Sequence, residues 1–146
     1  MNANVTPMSV GLPPEPKKMR TITLTNRAPI QVDEAEWPVI AQGTCGWEHP
    51  GFCAGWNIEF RVRCRSRWRR FIIHANYACW EEDHEDNDQK VRVGRIITSL
   101  EAQNDLWKHM LEVGEELRSR IAAEHLKQHV VYALDECFAN LKPQAV

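Results

Sequence analysis

The 146-residue chain carries 18 Lys and Arg against 20 Asp and Glu, a formal net charge of −2. That balance excludes a domain that is basic throughout and leaves any attraction to nucleic acid to a local patch. With 43% apolar and 26% charged residues, it has the composition of a soluble globular protein, long enough to bury a core without disulfides or a structural metal.

In chain order, residues 1–18 hold Pro7, Pro13, Pro14 and Pro16 among few large apolar groups, a composition that predicts a flexible tail. Met19 directly precedes a strand-like run, so the folded unit can begin there. Residues 21–25 (TITLT) alternate β-branched side chains and predict a first strand, with a second at 30–32 after the Pro29 turn. Asp33, Glu34 and Glu36 then lead into Trp37, Val39 and Ile40 as a helical turn with acidic residues at its start. Residues 43–55 (GTCGWEHPGFCAG) hold four glycines and a proline and read as a loop.

The strongest pattern follows. Residues 61–70 (RVRCRSRWRR) contain six arginines. Glu59, Arg61, Arg63, Arg65, Arg67 and Arg69 occupy odd positions, while Phe60, Val62, Cys64 and Trp68 occupy even ones. In a strand these sets point to opposite faces, one suited to a core and one to water, anions or acidic partners. The run is expected to turn near residues 65–68 and return at 70–79 as an antiparallel hairpin. Residues 81–88 (EEDHEDND) form an acidic loop, and 91–98 supply a further strand with Gly94 as a bulge.

Beyond Thr98 the period becomes helical. Thr98, Ser99, Leu100 and Glu101 match a capping box, and Leu100, Trp107, Met110, Leu111, Gly114, Leu117 and Ile121 form one stripe. A second stripe, Leu126, Val130, Ala133, Leu134, Cys137 and Leu141, is about one residue out of phase, so a break is expected between 122 and 126 and a stop before Pro143. Strands followed by helices predict an α+β fold: a small antiparallel sheet with an Arg-rich hairpin, covered by one or two C-terminal helices, in one domain over residues 19–142 with a tail at 143–146. Surplus apolar stripe around 126–141 would favour a homodimer.

The arginine face is the leading candidate for binding. Guanidinium groups pair bidentately with phosphate or carboxylate, and Trp68 at the hairpin tip is placed for stacking. The bland alternative is internal pairing, because the six carboxylates of residues 81–88 match the six arginines, and the second hairpin strand leads directly into them. The acidic loop could also act as a decoy surface of its own. Cys45, His49 and Cys53 have zinc-binding residue types, with Cys64, Cys79 or His84 as a conceivable fourth ligand, but a spacing looser than Cys-x2-Cys. Calcium is disfavoured in the acidic loop because the glycine and glutamate of a calcium loop are missing. His125 and His129 share a helix face at i, i+4 and read as a solvated pair before a metal site. His74 and His109 sit in no nucleophile, HExxH, P-loop or GxGxxG setting. No catalytic residue, metal or cofactor is therefore expected. Five cysteines are an odd number and read as reduced thiols. The first residues lack the apolar core of a signal peptide, and no stretch approaches the roughly 20 apolar residues that span a bilayer, so a cytoplasmic protein with no membrane partner is expected.

Residues 19–41 (MRTITLTNRAPIQVDEAEWPVIA) resemble the start of a group of short, largely uncharacterised proteobacterial proteins carried on conjugative elements, plasmids and prophages. The resemblance continues through the Arg-rich hairpin and into LEVGEELRSRI and ECFANL. It implies a mobile-element setting and carries over no active-site residue. Together these readings predict a non-enzymatic accessory protein. It would bind a protein or nucleoprotein partner through Arg61, Arg63, Arg65, Arg67, Arg69 and Trp68, in the manner of an inhibitor of host defence. A DNA- or RNA-binding regulator using the same face and a zinc-stabilised module are the alternatives.

Overall fold

The computed structural model describes residues 18–51, 53–65, 70–98 and 105–141. Residues 1–17 of the predicted 1–18 tail, the predicted tail at 143–146 and most of the capping box, at 99–101, lie outside them. Six strands precede two helices: β1 (Met19–Ile22), β2 (Ile30–Asp33), β3 (Val39–Glu48), β4 (Ala54–Arg65), β5 (Arg70–Glu81), β6 (Gln89–Ile97), α1 (Leu106–Arg120) and α2 (His129–Asn140). Strands β3 to β6 form a four-stranded antiparallel meander, and β1 and β2 pair as a separate antiparallel hairpin. The fold is α+β with C-terminal helices, as the change of period predicts.

Parity organises the layers. Phe60, Val62 and Cys64 stand beside Ala75, Ile73 and Phe71 across the β4–β5 register and form the inner face. The helices cover that face with Leu106, Met110, Val113, Leu117, Val130, Ala133, Leu134 and Cys137. The second predicted stripe is the buried face of α2. In the first, Met110, Gly114, Leu117 and Ile121 are buried as predicted and Leu106 and Val113 join them, whereas Trp107 and Leu111 are exposed. The predicted break is present, with α1 ending at Arg120 and a 3-10 turn at Glu124–Leu126. Gln89 pins this break to the sheet by donating to the Arg120 carbonyl and accepting from the Ala122 amide.

Residues 43–55 are not a loop. β3 and β4 pair through Gly43, Gly46 and Gly55, and only residues 49–53 connect them. Glycine is used at Gly43 for close approach: a Cβ there would lie 2.0 Å from the Ala133 carbonyl oxygen and 2.4 Å from the Cys137 nitrogen, so α2 rests directly on the strand backbone. Gly94 is likewise no bulge, since it pairs in register with His74. A Cβ at this position would meet the Thr23 carbonyl at 2.4 Å, and Thr25 bonds the Gly94 backbone on both sides.

The outer face of the sheet is divided. Next to β1 and β2, a second small core gathers Ile22, Leu24, Val32 and Trp37 over Ile72. The predicted helical turn is real: the Trp37 and Glu36 amides both bond the Asp33 carbonyl, and the Asp33 carboxylate accepts from the Ala35 amide. It drops Trp37 into that core. The first strand ends at Ile22, earlier than alternation predicts, because residues 23–25 leave the hairpin to follow the β6 edge.

Candidate binding face

The arginines of β4 share one face, but they do not share one environment. Arg63 is 2% exposed, because the β1–β2 hairpin and its following turn lie over it. Its Nη1 donates to the Trp37 carbonyl at 2.9 Å and its Nε to His74 Nε2 at 3.2 Å, while Nη2 stands 3.8 Å from Glu34. Glu34 also pairs with Arg20, whose hydrogen bond is the first cause holding the Glu34 carboxyl below its ordinary value. Burial, followed by repulsion from Arg63 and Arg61, pushes His74 down to about 3. His74 is therefore a neutral acceptor, and Arg63 is a structural tie between sheet and hairpin. The expectation that Arg63 faces water or a partner is corrected by the covering layer.

Arg65 reaches Glu36 at 3.3 Å and lies over the Trp37 ring at 5.9 Å. Arg61 lies 3.1 Å from the Glu59 carboxylate. The internal partners of Arg61, Arg63 and Arg65 are thus Glu59, Glu34 and Glu36, and the acidic run at 81–88 begins at the far end of β5 from Arg65. Arg67, Trp68 and Arg69 lie outside the described residues.

The other half of this sheet face has no covering layer among the described residues. Strand register places Thr44, Glu59, Asn76 and Arg92 in one row across the sheet, and Gly46, Asn57, Ala78 and Lys90 in the next. Arg61 stands at the border with the covered half. The cations here are Arg61, Lys90 and Arg92, accompanied by Glu59 and two amides. Sequence reading missed Lys90 and Arg92 because they belong to a third strand; the alternation of Gln89–Ile97 was the available signal.

The zinc candidates are not brought together. Cys45 lies on the inner face of β3, His49 and Cys53 lie in the hairpin connection, and no cluster of three metal-ligating side chains occurs among the described residues. All five cysteines are thiols outside any disulfide. Cys45 instead meets His129, with Sγ to Nδ1 at 3.7 Å, and the imidazole packs against Trp56 and Tyr132. A thiol–imidazole pair is nucleophilic when the thiolate is favoured. Here burial first, and then the nearby Glu136 carboxylate, push the Cys45 thiol up, so the pair has the electrostatics of packing. His125 lies in the 3-10 turn and His129 begins α2, so the two do not form one helical pair.

No family model, curated protein or solved structure matches this chain significantly. No helix among the described residues is long and apolar enough to cross a membrane.

Proposed function

We propose that the chain is a non-enzymatic interaction protein of a mobile genetic element, acting inside the host cell on a protein or nucleoprotein partner through the open half of its outer sheet face. The observation that carries this reading is the division of that face. Half of it is sealed by the β1–β2 hairpin, while Arg61, Lys90 and Arg92 stand with Asn57, Asn76 and Glu59 on paired strands beside the seal. Strand backbones hold these groups at fixed spacing, which lowers the ordering cost of recognition. The mixture of cations, amides and a carboxylate suits a charge-complementary protein surface better than a uniform phosphate track. The mobile-element setting rests on the resemblance of residues 19–41, and inhibition of host defence is the role such a binding protein would serve there.

The test is affinity capture from host lysate with the wild type and with an Arg61→Glu, Lys90→Glu, Arg92→Glu triple variant. A partner held by the wild type and lost by the triple variant supports the assignment, and equal capture by both removes it. Direct nucleic-acid binding is the second reading. With three cations contacting phosphates, the slope of log affinity against log salt for duplex DNA would be about −3. A gel shift with that slope, abolished in the triple variant, would replace the protein-partner reading.

A further inference from the structure

A second surface is built with the opposite charge. Between the tip of the β3–β4 hairpin and the end of β5 lies a cleft of about 450 Å³, lined by Trp47, His49, Ala54, Glu81, Glu82, Asp83 and His84. Trp47 is 52% exposed, a large indole left in the open on a rigid strand. The His49 ring stands edge-on to it at 5.6 Å and 83°, and that imidazole is itself oriented by accepting from the Gly51 amide at 3.0 Å. The opposite wall is also fixed: the Glu81 amide donates to the Asp88 carboxylate at 2.9 Å, and the His84 and Asp88 amides bond the Glu81 and Glu85 carbonyls. A neighbouring hollow of about 440 Å³ shares Glu82, Asp83 and His84 and extends the acidic lining to Glu85 and Asp86. Among the described residues, no lysine or arginine lines either hollow.

We infer that this aromatic cleft is a docking pocket for an arginine side chain carried on a basic segment of a partner protein. Charge and shape complementarity select that occupant. A guanidinium stacks on an indole face while its edge donates to carboxylates, and the two attractions strengthen together as water leaves. The carboxylates running beyond the cleft through Asp86 match an extended segment with further cations. This surface is separate from the Arg61, Lys90 and Arg92 face, so each stands or falls by its own variants.

The test is fluorescence anisotropy of a labelled arginine–glycine repeat peptide titrated with the full chain, alongside a lysine–glycine peptide and free spermidine as competitor. The expected result is low-salt binding, with Trp47→Ala and the Glu82→Gln, Asp83→Asn double variant each weakening it by about tenfold. The Arg61→Glu, Lys90→Glu, Arg92→Glu triple variant should not weaken it. Arginine should be preferred to lysine, and the indole N–H resonance of Trp47 should shift on binding while that of Trp107 stays fixed. Trp47, Glu82, Asp83, Lys90 and Arg92 are exposed and Arg61 is partly buried beside Glu59, so far-UV circular dichroism, expected unchanged, is recorded for every variant. Absence of binding at low salt overturns the inference. So does undiminished binding by Trp47→Ala, which would reduce the effect to diffuse attraction, and so does equal competition by spermidine, which would assign the site to a free polycation.

Discussion

His74 shows how one residue acquires its role from its neighbours. Its ordinary value of 6.5 falls to about 3 in the folded chain, because burial and the Arg63 charge both oppose the imidazolium. The unfolded chain therefore binds more protons than the folded one between these values, and folding stability must fall as pH drops through that window. From pH 6.5 to 4.5 the wild type should lose roughly 2–3 kcal/mol through this group, at about 1.4 kcal/mol per pH unit. Glu34, which starts from 4.5 and is lowered by Arg20, contributes its loss only below that range. Urea titrations across pH 4.5–6.5 should show the slope in the wild type and a much flatter curve in His74→Gln. An equal slope in both would place the proton uptake elsewhere. The sequence offered His74 only as an isolated histidine, since its partner Arg63 and the covering Trp37 carbonyl come from different strands and turns.

At the scale of elements, the alternation through β4 and the i, i+3, i+4, i+7 spacing of Val130, Ala133, Leu134 and Cys137 were readable because each records a buried face within one element. The glycines of β3 and β4 misled for the opposite reason. Their requirement comes from other elements, the α2 backbone at Gly43 and the neighbouring strands at Gly46 and Gly55, and glycine composition alone resembles a turn. Gly43→Ala should accordingly cost about 3 kcal/mol by forcing α2 away from the sheet. Gly51→Ala, where the nearest atom to a Cβ is 3.5 Å away, should change stability by less than about 0.5 kcal/mol. Denaturant midpoints of the two variants check the contrast; similar values would mean that α2 is not seated on β3. In α1 the stripe holds at Met110, Gly114 and Leu117 and fails at Trp107 and Leu111, which are apolar yet exposed, a choice made by where α2 and the sheet stand.

At the scale of the whole molecule, the sheet is a middle layer, with helices on one face and the β1–β2 hairpin over half of the other. Arg63 ties the outer layer down through Trp37, Glu34 and His74. Arg63→Met should destabilise the protein by about 3–5 kcal/mol, because the buried polar groups it serves lose their partner. Arg61→Met, at a pair with Glu59 that keeps partial solvent access, should cost less, about 1 kcal/mol. Equilibrium unfolding compares them directly, and equal losses would mean that the hairpin is held by its apolar core alone. The sequence by itself determined the two faces of the Arg-rich strand, the hairpin that follows, the switch from strands to helices and the break between the helices, because these are periodicities of single elements. Only the tertiary structure decided which arginine is core and which is surface, where the acidic run lies and which cations join Arg61. Burial and charge pairing depend on elements distant in the chain, and periodicity within one strand carries no record of what comes to lie over it.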